Sequence, residues 1–227
     1  MIAQKSMYFI TSSQRKYRQL LIILILNFVA SPFLHGFIGN LVSAFFLLYM
    51  VIVIIRSFTL PQKLRWAYVA IAFLAFLLQI SIRLGWNTTV ALPFSVMAQT
   101  IYILYLGIAA ILIIQEIFST KMITMDTIRG GICAYLLIGF VWALFYGIVE
   151  TFNPLAFSET LIKSGTFLWP LHFSFTTLTT LGYGDIVPVS SLALVLTDTE
   201  AIIGQLYPSI LIALLVGGYL SQKVDEK

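Results

Sequence analysis

The stretch Thr176-Thr177-Leu178-Thr179-Thr180-Leu181-Gly182-Tyr183-Gly184-Asp185 sets a hydroxyl-rich run directly against two glycines that bracket one tyrosine. A short amphipathic segment beginning at Leu168 leads into it, and two long apolar runs, residues 131–149 and 191–220, flank it. Glycines around a tyrosine also occur in water-exposed loops. Here the same residues lie between hydrophobic runs with threonine hydroxyls beside them, a setting in which loop oxygens can line an ion path through an apolar medium.

Composition supports that medium. Of the 227 residues 60% are hydrophobic and 10% charged, and mean hydropathy is +0.99; a soluble domain carries about 25% charged residues. The reading is therefore an all-α integral membrane protein of one membrane unit. The single cysteine, Cys133, lies in an apolar run, which excludes a disulfide within the chain and a multidentate thiolate metal site. The two histidines, His35 and His172, are too far apart in sequence to form a ligand motif. No nucleophile stands paired with a base, so no catalytic residue, bound cofactor or enzyme activity is expected. No basic stretch interleaved with aromatics points to nucleic acid. Trp66, Trp86, Trp169 and Tyr219, near segment ends, read as anchors at headgroup depth.

In chain order, residues 1–19 are polar and basic and form an N-terminal segment. Apolar spans follow at about 20–34, 37–55, 66–84, 92–118, 131–149 and 191–220, each matched to a bilayer core of roughly 30 Å at 1.5 Å per helical residue. The first span also has the shape of a secretory signal, but the next run follows so closely that a helical hairpin is the better reading. Residues 150–165 form a mixed loop. Residues 168–179 suit a half-length helix, with Pro170 in its first turn where a missing N–H is tolerated. The expected architecture is thus six transmembrane helices plus a re-entrant pore helix and loop. Its divisions are 20–129, four helices; 130–221, the pore unit; and 222–227, a tail.

Basic residues orient it. With the N-terminus cytoplasmic, Lys5, Arg15, Lys16, Arg18, Arg56, Lys63, Arg65, Lys121, Arg129, Lys223 and Lys227 fall inside, and only Arg83 and Lys163 fall on the other face. Six crossings then place both termini in the cytoplasm and the Gly182-Tyr183-Gly184 loop outside. A multi-pass cell-membrane protein is expected.

An alkali ion entering a narrow pore exchanges its water shell for hard oxygens. The carbonyls of Thr180, Leu181, Gly182 and Tyr183, with the Thr180 hydroxyl, can stack as rings of such oxygens when several chains meet on one axis. Gly182 and Gly184 suit the alternating backbone this needs, and Tyr183 can brace the loop from behind. One loop supplies one wall, so a pore implies an assembly of identical subunits surrounded by lipid.

Thr180-Leu181-Gly182-Tyr183-Gly184-Asp185 closely resembles the Thr-Val-Gly-Tyr-Gly-Asp filter of the potassium-channel superfamily, with leucine in place of the usual valine. The resemblance covers about residues 130–220, as outer helix, pore helix, filter and inner helix. It implies a tetramer that passes potassium ions, the transported substrate, down their electrochemical gradient. It also implies coordination by oxygens of Thr180 to Tyr183, a supporting Gly184, an outer-mouth carboxylate at Asp185, and a bending glycine at Gly204. The side chain of Leu181 would point away from the ions, so the substitution bears on packing.

The first half lacks the arginine series of a voltage sensor: the span at 94–118 has no Arg or Lys. Asn27, Gln79, Gln99 and Gln115 are expected to hydrogen-bond between helices. Asp198 and Glu200 stand in the outer half of the last span, where a lipid-facing carboxylate is costly; Glu200 is read as filter support through the 176–179 segment, and Asp198 as lying at the wet mouth. Glu200 and Gly204, four apart, share a helix face. Gly204 and Pro208 are candidate hinge residues for gating, with Gln205 and Ile212 near them and Gly217-Gly218 suited to close helix crossing. The rival to a conducting channel is an auxiliary, nonconducting subunit of such channels, and a regulatory partner is compatible with either reading.

Overall fold

The computed structural model describes residues 16–33, 45, 48–54, 62–83, 91–120, 122–158 and 168–225. These residues form helices: α1 (Lys16–Ala30, followed by a 3-10 turn, Ser31–Phe33), α2 (Gln62–Arg83), α3 (Ala91–Ser119), α4 (Met125–Phe152), α5 (Leu168–Leu178) and α6 (Ser191–Asp225). Residues 48–54 are also helical. Among the described residues, three helical stretches are long and apolar enough to cross a membrane, Leu92–Ser119, Met125–Phe152 and Ser191–Gln222, while Tyr17–Ala30 and Trp66–Leu78 are shorter apolar helices. The expected span at 37–55 lies largely outside the described residues. Among the described residues the regular structure is helical, with three long apolar helices, as a membrane-spanning protein requires.

The helix α4 is the hub, packing against α1, α3, α5 and α6. Small residues make this possible, since a missing side chain lets a neighbouring helix approach closely. Each of its four glycines receives a different element: a Cβ would stand 3.1 Å from the Tyr17 ring of α1 at Gly130, 2.6 Å from Leu211 of α6 at Gly131, 2.7 Å from the Phe175 ring of α5 at Gly139, and 2.9 Å from Gln99 of α3 at Gly147. Residues 125–130, which precede the apolar span expected at 131–149, are the first turns of this helix. Thr124 starts it: its hydroxyl accepts from Thr127 N–H, and the Thr127 hydroxyl accepts in turn from Thr124 N–H, each at 3.2 Å.

Cys133 is fully buried, and its thiol meets the Tyr17 carbonyl at 3.7 Å. The amides are less uniform than expected. Gln99 donates to Ser95 of its own helix while packing on Gly147, Gln115 is exposed, and the buried Asn27 Nδ2 has no hydrogen-bond partner among the described residues. The Gln79 side chain lies outside the described residues. Trp66 and Tyr219 are exposed at 65% and 59%, whereas Trp169 is 2% exposed and belongs to the core; Trp86 lies outside the described residues.

Candidate functional site

The helix α5 begins at Leu168 and carries Pro170 in its first turn, where the helix needs no N–H. It ends by folding its chain back over its last carbonyls: Thr180 N–H bonds to Thr177 O at 2.9 Å, and the N–H groups of Leu181 and Gly182 both reach Thr176 O, at 2.8 and 3.1 Å. The turn requires Thr180 at φ 57°, a left-handed conformation that a β-branched residue rarely adopts. Gly182 (φ 53°) and Gly184 (φ 75°) are left-handed too, and among the described residues no other φ is positive. Residues 180–184 therefore alternate in the sign of φ. The segment is also exposed within the single chain, Leu181 at 55% and Tyr183 at 67%.

Strain at Thr180 costs roughly 1–3 kcal/mol and persists only when neighbours over-determine the loop. Several do. His172 Nε2 and Asp185 Oδ2 are 2.9 Å apart, and the imidazole stacks on the Tyr183 ring, centroids 5.9 Å apart and planes 9° from parallel. Thus one α5 side chain holds both ends of the Tyr183-Gly184-Asp185 turn. Beyond the loop, residues 156–158 strap the returning chain: Ser158 N–H donates to Val187 O at 2.9 Å, and Val189 N–H to Ala156 O at 2.8 Å. Beneath lies an aromatic cluster of Trp142, Tyr146, Phe157, Trp169 and Phe173. Trp169 also donates its indole N–H to Glu150 Oε2 at 2.9 Å, tying the start of α5 to the end of α4.

The two acids of α6 part company. Asp198 is exposed. Glu200 is 0% exposed, and each of its oxygens meets a hydroxyl, Ser174 Oγ at Oε1 and Tyr146 OH at Oε2, both at 2.5 Å. The expected face sharing of Glu200 and Gly204 holds, since both meet α5, but the hydroxyl that Glu200 meets is that of Ser174, two residues before the 176–179 segment. Replacing Asp198 with alanine is expected to move stability by no more than about 0.5 kcal/mol. Glu200→Ala, which opens a cavity beside two hydroxyls, is expected to cost roughly 2–3 kcal/mol. Thermal unfolding in detergent compares the two, and equal shifts would refute the assignment.

Gly204 is buried where α6 crosses the end of α5. A Cβ there would overlap the Leu178 carbonyl oxygen and stand 2.8 Å from its carbon and 2.9 Å from Leu178 Cα. The same carbonyl accepts from Tyr135 OH at 3.1 Å. Pro208 sits inside α6; lacking an N–H, it frees the carbonyl four residues back, which is that of Gly204. The helix nonetheless runs unbroken from Ser191 to Asp225. A Cβ at Gly217 would meet nothing within 4 Å, whereas at Gly218 it would meet Ile123, in the connection between α3 and α4, at 2.8 Å.

The structure thus brings Thr180, Leu181, Gly182, Tyr183, Gly184 and Asp185 into one exposed loop, and Glu200 and Gly204 against the helix that presents it. Sequence reasoning missed His172, Ser174, Tyr146 and Trp169. A signal for His172 was available: a lone polar ring in an apolar half-helix, followed past the loop by a carboxylate. Among the described residues no group of three or more His, Cys, Asp or Glu side chains is placed to hold a metal ion.

No curated protein and no solved structure matches the chain. Residues 130–218 match a family model described as "Ion channel". The matched segment contains the presenting helix, the loop and all its supports, so the site as built lies wholly within the region similar to ion channels.

Proposed function

We propose that the protein is a potassium-selective channel, a homotetramer in the cell membrane that passes potassium ions passively down their electrochemical gradient. The observation that carries this reading is the alternation of φ through Thr180, Gly182 and Gly184. Alternating left- and right-handed residues turn successive peptide groups the same way, which gathers N–H groups on one side of a nest and carbonyls on the other. A column of carbonyls from Thr180 to Tyr183 is what a partly dehydrated alkali ion needs, and neighbouring weak sites let ions displace one another.

Assembly follows from what the single chain leaves open. Only 6% of the apolar window of α6 is buried, and the loop is exposed, Leu181 at 55% and Tyr183 at 67%. Four copies around one axis would cover both. In this arrangement residues 130–221 are the pore unit, residues 20–129 a nonsensing domain packed around it, and both termini are cytoplasmic.

The test is potassium against sodium flux through the purified protein in liposomes, with Gly182→Asp on the same assay. Gly182→Asp puts a branched side chain at φ 53° and a carboxylate in the ion path; loss of selective potassium flux is expected. A folded, inserted tetramer that carries no potassium, or equal potassium and sodium flux in the wild type, would overturn the proposal.

A further inference from the structure

The contacts around Glu200 can be counted by their hydrogens. Ser174 Oγ lies 2.8 Å from Gly139 O and 2.5 Å from Glu200 Oε1, and it has one proton for both contacts. A backbone carbonyl only accepts, so the serine proton satisfies Gly139 O only if the contact with Glu200 draws its proton from the carboxyl. On the other oxygen, Tyr146 OH is the donor to Oε2 at 2.5 Å. A neutral carboxyl has one O–H and one bare oxygen, which is the pattern these neighbours ask for. A carboxylate would leave one of the two serine contacts without a hydrogen.

Charge points the same way. Glu200 is 0% exposed, and among the described residues no Lys, Arg or His forms an ion pair with it. The titratable groups whose charges reach this site are Tyr135 and Tyr146 of α4 and Asp198 of α6, none of them a cation. Glu150 is engaged by Trp169, and His172 by Asp185. An ionised carboxylate here would be buried without compensation.

We infer that Glu200 carries its proton and donates it to Ser174, acting as the positioning residue that sets α5 against α4 and α6. The relay runs from Glu200 to Ser174 to Gly139 O, with Tyr146 closing it from α4, and it lies directly behind the helix whose end presents Thr176–Asp185. Its bearing on conduction rests on the reading of that loop as an ion path; the protonation of Glu200 does not.

Infrared spectra of the full chain in lipid vesicles, compared between wild type and Glu200→Gln at neutral pH, test it. The expected result is a protonated-carboxyl C=O band in the wild type that is lost in Glu200→Gln, with no carboxylate band lost. Glutamine keeps an acceptor for Tyr146 and a donor for Ser174 and adds one further N–H, so unfolding temperature and potassium flux are expected to stay far nearer wild type than those of Glu200→Ala. Loss of a carboxylate band instead, or a Glu200→Gln protein as damaged as Glu200→Ala, would overturn the inference. If Glu200→Gln yields too little folded protein, Ser174→Ala is read in its place: removal of the hydroxyl that accepts from Glu200 is expected to shift the acid band to higher frequency, and an unshifted band overturns the inference. Wild-type vesicles with the acid band but no flux would count against the conducting role alone.

Discussion

Gly204→Ala is expected to cost about 3 kcal/mol or more of stability and to lower the yield of assembled protein, the largest effect of any single methyl added to α6. Overpacking a core typically costs 1–3 kcal/mol when side chains can shift aside. Here the obstacle is backbone: the Leu178 carbonyl overlaps the new methyl, and Leu178 Cα stands 2.9 Å from it. That carbonyl also accepts from Tyr135, so a displacement that relieves the clash breaks a hydrogen bond and moves the end of α5. Gly217→Ala is the internal control, because nothing lies within 4 Å of its Cβ position and alanine favours helix by about 1 kcal/mol. Gly218→Ala should fall between, since the Ile123 side chain it meets can rotate away. Thermal unfolding and size-exclusion profiles in one detergent rank the three. Gly204→Ala behaving like Gly217→Ala would mean that α6 and α5 do not meet this closely.

Gly204 thereby has a reason to be glycine that bending does not require. Its sequence position and Pro208 suggest a hinge, and the two are linked because Pro208 leaves the Gly204 carbonyl without its helical donor. Close approach and freed carbonyl coincide at one residue, which places any bend of α6 directly against the end of the presenting helix. A bend there would move Leu178, and with it the first residues of the loop.

Much of this is legible in sequence because the signals are local. Apolar length marks the spans, Pro170 marks the start of α5, and the glycines at 182 and 184 mark positions where φ is positive. Thr180 at φ 57° is not legible as such, because its conformation is imposed by the helix end and the contacts around it. Residues 125–130 look like a connection because the apolar window begins at Gly131; the reciprocal Thr124–Thr127 cap is the signal that places the helix start earlier. Trp169 looks like an interfacial anchor because a tryptophan near a segment end reads the same in sequence whether it meets headgroups or, as here, Glu150 and Phe157. The four partners of the α4 glycines are likewise tertiary facts: their spacing shows that helices can approach, and only packing shows which.

His172→Ala is expected to loosen the far end of the loop while leaving the helices in place. The substitution removes two contacts, the 2.9 Å hydrogen bond to Asp185 and the stack on Tyr183. Both partners of the hydrogen bond are partly exposed, 29% and 41%, so it contributes under about 1 kcal/mol, and the stack roughly 0.5–1.5 kcal/mol. Together they bias the held loop by roughly tenfold. Two substitutions separate the terms: His172→Phe keeps a ring for Tyr183 and loses the bond, whereas His172→Gln keeps a donor for Asp185 and loses the stack. Hydrogen exchange at the amides of 182–185 is expected to quicken most in His172→Ala and to a lesser degree in each of the others. On the proposed function the potassium-to-sodium flux ratio should fall in the same order. If exchange at these amides is unchanged in all three variants, the strap of residues 156–158 and the aromatic cluster hold the loop by themselves, and the bracket formed by His172 is incidental to it.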